Sequence, residues 1–474
     1  MTWTEGLTEK VYFGCPRFIQ EIGINIYEFK NSWMPMKSSR YRYWYSLLKN
    51  SEKWSRKNQE EFQNRYVRTM VNYAYDNVPY YRKTYEQNNI DVSKIKRIED
   101  LERLPILTKD DIRGNHAKLV SQNEKKFIES HTSGTTGTPL SLMISQDVRL
   151  LSLANGYGRR FVWANYDGSY VARFVGDKPV KNCNARPIYR KDFVMKRLIF
   201  PSYCLSFDNL EMIIQQLTKL RVKYLQAYPS TAYIIAKFLE LKDEYLKIDS
   251  LFYSSEPLLS FQKDLIKTRL QTKLYGYYGQ AEHVVSAMEC EKGNYHLTIV
   301  DGFLEVVDGK GERIYGNGKG FVVATSLHNK AMPFIRYFLG DFTGYMDSEC
   351  ECGRQLPLIY PIESKCDDFI VTSDGRLISP SLMTFPFKHS RGIIESQIIQ
   401  KSLDRIIVRI VKTDEFKESE EKSLLLALKS ITGEMNIRIE YATNIHQTNC
   451  FKKRWVINEI GDDYLSRAFY EYEV

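Results

Sequence analysis

The densest run of chemically useful groups is His131-Thr132-Ser133-Gly134-Thr135-Thr136-Gly137-Thr138-Pro139. Glycines interleaved with hydroxyl residues and closed by a proline expose backbone N–H groups and side-chain hydroxyls. Such a loop can wrap a polyphosphate and tolerate a moving anion without a fixed charge. An ordinary hairpin turn has the same composition. A Walker loop is excluded, because no Gly-Lys-Ser/Thr follows and no helix pattern opens behind it.

A second set has the make-up of a metal site. Cys290-x5-His296 and Cys350-x-Cys352-Gly353-Arg354 together offer three thiols and an imidazole, the usual donors of a closed structural zinc site. Two cysteines one residue apart make a poor disulfide, although lone cysteines are more often buried simply as small hydrophobes. The eight cysteines are spread thinly, so free thiols or metal ligands are expected rather than disulfides. Cys366 and Cys450 receive no role, and no Ser/Cys–His–Asp hydrolase set is evident.

The elements that must hold these groups can be read from periodicity. Residues 1–100 are mostly helical in pattern: Glu60 through Tyr75 carries apolar residues at helical spacing and stops before Pro79. Thr108 and Asp111 have the spacing of an N-cap and its N3 partner. Lys126–Ser130 and Leu140–Ile144 read as strands on either side of the glycine-rich loop. Strands at Val171–Val175, Tyr224–Tyr228, Ser250–Ser255 and Thr272–Tyr278 alternate with helices at Asp208–Leu217, Thr231–Glu240 and Ser260–Leu270. That rhythm implies a parallel sheet covered by helices, with ligands beyond the carboxyl ends of the strands. Tyr228-Pro229-Ser230, Ser254-Ser255-Glu256-Pro257 and Tyr278–Glu282 all fall at that edge. Short strands at Phe303–Val307, Gly320–Thr325 and Phe334–Tyr337 indicate a β-rich subdomain. Beyond Asp367 come a hairpin about Ser373-Asp374-Gly375, strands at Ile393–Ile399 and Arg405–Val411, a helix at Ser419–Ile431 and a strand at Met435–Tyr441.

The expected fold is therefore an α/β large N-terminal domain over 1–366, with parallel sheets, flanking helices and the β-rich subdomain. A small α+β C-terminal domain over 367–474 follows. A chain of 474 residues exceeds one core, which fits two or three units. With 43% hydrophobic and 26% charged residues and no long apolar run, it reads as a soluble globular protein. The N-terminus lacks the layout of a signal peptide, so a cytoplasmic location is expected. A net charge of +9 suits anionic substrates such as nucleotides or CoA, or at most peripheral contact with an anionic membrane; a solvated basic surface gives the same number. The Ser39-Arg40-Tyr41-Arg42-Tyr43-Trp44-Tyr45 patch comes with no nucleic-acid-binding motif, and no nucleic acid is expected.

Four motifs now fall in order: Thr132–Pro139, Tyr278-Gly279-Gln280-Ala281-Glu282, Arg336-Tyr337-Phe338-Leu339-Gly340-Asp341, and Lys452-Lys453-Arg454-Trp455-Val456-Ile457. Together they resemble the adenylate-forming (AMP-binding) enzymes. The chain looks most like their phenylacetate–CoA ligase branch, including relatives from capsular-polysaccharide loci, from about Asn77 to Glu459. The resemblance implies ATP-dependent activation of a small carboxylate to an acyl-adenylate, then transfer to CoA or to an amine such as an amino sugar. It implies that Thr132, Ser133, Gly134, Thr135, Thr136 and Gly137 hold phosphates, that Glu282 binds Mg²⁺, and that Lys452 stabilises the charge developing in adenylation, with Lys453 as its rival. Ser255, Glu256, Tyr278, Gly279, Asp341 and Lys365 would surround adenine and ribose, and Ala227, Tyr228 and Pro229 would line the acyl pocket. Asp367 would be the hinge about which the small domain moves. Relatives in this branch carry cysteines like those of the Cys₃His set. Three departures stand out: Ser364 replaces a glycine, Lys365 an arginine, and Phe451 the glycine before the catalytic lysine. Arginine and lysine are not equivalent at a bidentate contact. These changes motivate an alternative, a catalytically impaired nucleotide-binding or pathway-partner module.

Overall fold

The computed structural model describes residues 7–131, 140–308, 310–362, 370–378, 380–390, 392–414, 416–443, 445 and 455–460. The N-terminal stretch is helical, as its spacing predicts. The helix Arg56–Asn77 starts where the Ser55 hydroxyl accepts from the Asn58 N–H, and Pro79 opens the next helix, Pro79–Gln87. Proline is tolerated there because the first N–H of a helix has no partner to lose. Thr108 and Asp111 form the expected capping box on the helix Lys109–Leu119.

The strands of the large unit run β1 (Phe127–His131), β2 (Ser141–Ser145), β3 (Val171–Val175), β4 (Arg190–Asp192), β5 (Arg197–Pro201), β6 (Tyr224–Ala227) and β7 (Ser250–Ser254). They continue as β8 (Lys273–Gly279), β9 (Ser286–Glu289), β10 (Tyr295–Leu297), β11 (Gly302–Val307), β12 (Lys319–Ser326), β13 (Tyr337–Met346) and β14 (Leu358–Ile359). β1 and β2 pair as a separate antiparallel hairpin. The other strands form one sheet of 12, ordered β11-β12-β13-β14-β10-β9-β8-β7-β6-β3-β5-β4. Its centre, β5-β3-β6-β7-β8, is parallel. Helices Phe207–Lys219, Pro229–Leu241 and Ser260–Leu270 are the crossovers, and their apolar residues share one buried cluster with the strands. Pro229–Leu241 is buried on nearly every side, which fits a sequence that is apolar around its whole circumference.

The C-terminal unit contains the hairpin β15 (Ile370–Val371) and β16 (Leu377–Ile378), then β17 (Ile393–Ser402), β18 (Arg405–Lys412), the helix Glu418–Thr432, β19 (Asn436–Tyr441) and β20 (Val456–Asn458). Arg376 in the hairpin donates to the carbonyl of Tyr203 in the large unit and, at 2.8 Å, to that of Ile431. No helix among the described residues is long and apolar enough to cross a membrane.

Two expectations need correction. Phe334–Arg336 does not begin a strand. The Phe334 and Arg336 N–H groups bond the hydroxyls of Ser326 and Thr325, and Arg336 takes a left-handed φ of 49°. Its guanidinium turns inward to Glu305 at 3.2 Å, an ion pair buried on both sides, and donates to the Leu104 carbonyl. The cysteines are not all free thiols or ligands either, because Cys183 and Cys204 form a disulfide. The strand order β3-β5-β4 brings the segment before β4 against the residues that follow β5, a proximity invisible in the Cys spacing.

The N-terminal helices are held in part by His328, whose ring packs edge-on against Trp44 and Tyr66 while Nε2 bonds the Val300 carbonyl at 2.9 Å. Burial lowers its pKa from 6.5 to about 4; Lys330 and Arg40 act in the same direction, against the carbonyl bond and Asp147. The unfolded chain therefore binds this proton first as the pH falls. The contribution of His328 is whole above pH 6.5 and is lost on descent towards pH 4. Asp301, raised to about 6 by burial, works in the opposite sense over the same window. Denaturation of wild type and His328→Phe side by side isolates the histidine. The wild type should lose about 3 kcal/mol more than the variant over that range.

Candidate active site

The carboxyl ends of β6, β7 and β8 stand side by side because the strands pair in parallel register, Ala227 opposite Tyr253 and Tyr253 opposite Gly276. The chain leaves each strand at a residue singled out from the sequence. After β6, Tyr228 and Pro229 start a helix, so Ala227, Tyr228 and Pro229 lie at one corner of the edge. After β7, Ser255 takes a left-handed φ of 73°, which turns Glu256 back towards that corner. The Glu256 carboxylate accepts from the Ser230 N–H at 2.9 Å and from its hydroxyl at 3.0 Å. A carboxylate suits the positive end of a helix, and here it caps Pro229–Leu241.

β8 ends in Tyr278 and the exposed Gly279. The Tyr278 hydroxyl donates to Asp341 Oδ2 at 2.7 Å, so two motifs 63 residues apart meet. The contact depends on an irregularity in β13. Val323 faces Phe338 and Phe321 faces Phe342, so four residues of β13 span what two span on β12. Gly340, at φ 79°, sits in that bulge. Burial holds the Tyr278 phenol well above its ordinary pKa, and the nearby Asp341 adds to the effect. Glu282 is buried five residues from the end of β8's pairing with β7, and accepts from the Tyr337 hydroxyl at 2.8 Å. The Tyr337 phenol is likewise pushed up, first by burial and then by Glu282.

The structure thus brings together Ala227, Tyr228, Pro229, Ser255 and Glu256 at one corner, and Tyr278, Gly279, Glu282 and Asp341 beside them. Thr132, Ser133, Gly134, Thr135, Thr136, Gly137, Lys365, Asp367 and Lys452 lie outside the described residues. The strands flanking the glycine-rich loop pair in register up to His131 opposite Ser141. Two residues here received no role from the sequence. Tyr337 lies in the Arg336–Asp341 motif, four positions before Asp341, and that nearness is the signal the sequence offers. His283 follows Glu282 at a left-handed φ of 51°, and burial lowers its pKa to about 4; nothing in the sequence marks it.

At the other end of β9 and β13 stands the cysteine–histidine set. Cys290 follows β9, His296 lies in β10, and Cys350 and Cys352 lie in the turn after β13. All four ligand atoms lie within 4.8 Å of one another. Cys290 Sγ and Cys350 Sγ are 3.6 Å apart, and Cys352 Sγ is 3.3 Å from His296 Nε2. Tetrahedral zinc with sulfur at its usual bond length needs an S···S separation of about 3.8 Å, so the donors fit. Burial raises the Cys290 thiol to about 12. At Cys350 burial also opposes ionisation, but hydrogen bonds led by that from Asn294 Nδ2, at 3.2 Å, bring the thiol below its ordinary pKa.

Solved structures with this architecture include 2-hydroxyisobutyryl-CoA ligase in complex with 2-HIB-AMP and CoA in the thioesterification state. It aligns with a TM-score of 0.55 at 20% identity over 86% of this chain and 91% of its own. An open conformation of the same ligase aligns at 0.52. The fold is that of the adenylate-forming enzymes. Within that class, residues 370–459 match the family described as the CapK C-terminal domain. The Staphylococcus aureus protein CapK is 25% identical over 423 residues, 84% of this chain and 89% of its own. A Thermus thermophilus phenylacetate–coenzyme A ligase is 26% identical over 323 residues, 64% of this chain and 70% of its own. The chain is a homologue of CapK and of the phenylacetate–CoA ligases, and it has the fold of the adenylate-forming enzymes.

Removing the Tyr337 hydroxyl leaves the buried Glu282 side chain without that donor. Tyr337→Phe should lower stability by about 1–3 kcal/mol in chemical denaturation. The substitution Tyr345→Phe, which removes a bond to the neutral Leu304 carbonyl, should cost less.

Proposed function

We propose that the protein activates a small carboxylic acid with ATP, forming an acyl-adenylate and pyrophosphate, and then transfers the acyl group to CoA. The observation that carries this reading is the Tyr278–Asp341 hydrogen bond at the carboxyl end of β8, with Glu282 held nearby by Tyr337. It occurs in a chain whose relatives include a protein named as a phenylacetate–CoA ligase, and the solved neighbour binds an acyl-AMP and CoA.

The two negative reactants repel, so the site must neutralise charge and fix geometry. Thr132, Ser133, Gly134, Thr135, Thr136 and Gly137 would cradle the phosphates with N–H and hydroxyl donors. Asp341 would accept from the ribose hydroxyls, held by Tyr278, whose ring would lie along the adenine. Ser255, Glu256 and Gly279 would border the base, and Lys365 would reach ribose or phosphate. Ala227, Tyr228 and Pro229 would receive the acyl group. Glu282 would hold Mg²⁺, which supplies charge neutralisation at the phosphates; one buried carboxylate suits a cation that takes most of its ligands from substrate and water. Lys452 would meet the charge that develops as the carboxylate oxygen attacks the α-phosphorus. The units 1–366 and 367–474 would move about Asp367 between the two half-reactions. An amine, such as an amino sugar, is the competing acceptor, and a role in capsule biosynthesis is part of the same reading.

We also propose that Cys290, His296, Cys350 and Cys352 hold a structural zinc ion, which the donor distances support. Purified protein should contain about one zinc per chain by elemental analysis. Cys350→Ala should lose the metal and lower the melting temperature. Full stability together with no bound metal would assign the thiols to ordinary packing.

ATP–pyrophosphate exchange, measured with Mg²⁺ and without CoA across aryl, acyl and amino acids, tests the first half-reaction. Exchange should depend on one carboxylate and fall by about a hundredfold or more in Lys452→Ala, with ATP binding kept. Loss in Lys453→Ala alone would move the role to that neighbour. ATP binding without exchange on any acid would favour the impaired module that Ser364, Lys365 and Phe451 suggest.

A further inference from the structure

We propose that the N-terminal helices dock the protein on an anionic lipid bilayer. The helices are Leu7–Gly14 and Arg17–Glu28, continued by a wide turn over Phe29–Trp33. A surface helix ordinarily turns its apolar stripe to the core and its polar face to water. Arg17–Glu28 is arranged the other way round. Its inner contacts are largely polar: Gln20 accepts from Arg190 and donates to the Cys15 carbonyl, while Asn25 donates to Lys191 O and accepts from the N–H groups of Phe193 and Val194. Gln20 is 5% exposed and Ile24, the one buried aliphatic residue of the helix, 3%.

The outer face is apolar. Phe18 is 62% exposed, Ile22 53% and Ile26 64%, at successive spacings of four, and exposed Phe29 and Trp33 extend the row. Phe29 and Trp33 stack with ring centroids 5.0 Å apart. Phe193, whose N–H bonds Asn25, is exposed as well. Because the inner face is already tied down by hydrogen bonds, this stripe cannot turn inwards without breaking them.

Charge selects the occupant. The acids of the helix are drawn back towards the protein: Glu21 accepts from Arg17 and from the Lys191 N–H, and Glu28 pairs with the buried Arg197 at 3.3 Å. Cations remain outside. Lys30 and Lys37 are exposed, with the Lys37 ammonium 5.1 Å from the centre of the Trp33 ring, and exposed Lys196 stands on the same turn as Phe193. An apolar stripe ending in tryptophan and flanked by lysines matches the acyl boundary and head groups of an anionic leaflet. A second copy of this chain would instead set these lysines against their own kind.

Co-sedimentation of the full chain with phosphatidylcholine vesicles, with and without phosphatidylglycerol, tests the proposal. The wild type should pellet with the anionic vesicles and be released by high salt. Phe18→Ser, Ile22→Ser and Ile26→Ser combined should weaken binding by about tenfold or more. Lys30→Glu with Lys37→Glu should do so by about tenfold without touching the apolar row. These side chains are exposed, so unchanged circular dichroism is expected of both variants. Wild-type protein left in the supernatant, or binding that neither variant changes, would overturn the proposal. So would a wild-type dimer that the triple substitution dissociates, which would give the face to a second copy.

Discussion

The molecule depends on the register of β8. Its first five residues pair in parallel with β7, and its last three, Tyr277 to Gly279, pair antiparallel with β9. One strand therefore joins the parallel and antiparallel halves of the sheet. Side chains alternate along a strand, so a slip of one residue would turn Tyr278 away from Asp341. Glu289 on β9 guards against that slip, because its carboxylate accepts both the Gly276 N–H at 3.0 Å and the Tyr253 hydroxyl at 2.8 Å. Gly276 fits this position by having no side chain: a Cβ there would stand 2.1 Å from the Tyr295 hydroxyl.

The same logic extends to β13. Tyr337 and Asp341 must reach Glu282 and Tyr278 on neighbouring ground, although β14, β10 and β9 lie between β13 and β8 in the sheet. Arg336 fixes where the strand begins by turning its side chain into Glu305, and the bulge around Gly340 carries the chain forward to Asp341. Removing one partner of such a pair would leave an uncompensated charge in the interior, so each holds the other in this one geometry. The irregular parts of β13 are thus the parts that reach the candidate site.

Much of this was legible in the sequence, and the failures have physical causes. Most of the alternation of strands and helices from Val171 to Gly279 could be read, because Phe207–Lys219 carries a strong apolar period, Pro229–Leu241 is a long apolar run behind a proline and the parallel strands are short apolar runs; β4 and β5, with charged residues in both, were not. The capping box at Thr108 could be read because it is a local contact. Phe334–Arg336 looked like a strand because its apolar pattern is right, but hydroxyls of Thr325 and Ser326 take the N–H groups a ladder would use. Cys183–Cys204 could not be read, since strand order rather than spacing makes the two residues neighbours. The exposed row from Phe18 to Trp33 has the same period as a core-facing stripe. Only the hydrogen bonds of Gln20, Glu21 and Asn25 reveal which face is inside.

The position of the cysteine–histidine set follows from the same sheet. β9 lies between Glu282 at the candidate site and Cys290, and β13 runs from Tyr337 towards the turn holding Cys350 and Cys352, with His296 on β10 between them. β14 and β10 are only two and three residues long, so the ladders that separate β13 from β9 are short. Short ladders resist shear weakly, and both halves of the Tyr278–Asp341 contact ride on strands joined through them. A zinc ion held as proposed by Cys290, Cys350, Cys352 and His296 would fix the far ends of those strands, which is where a cross-link restrains sliding without intruding on the site.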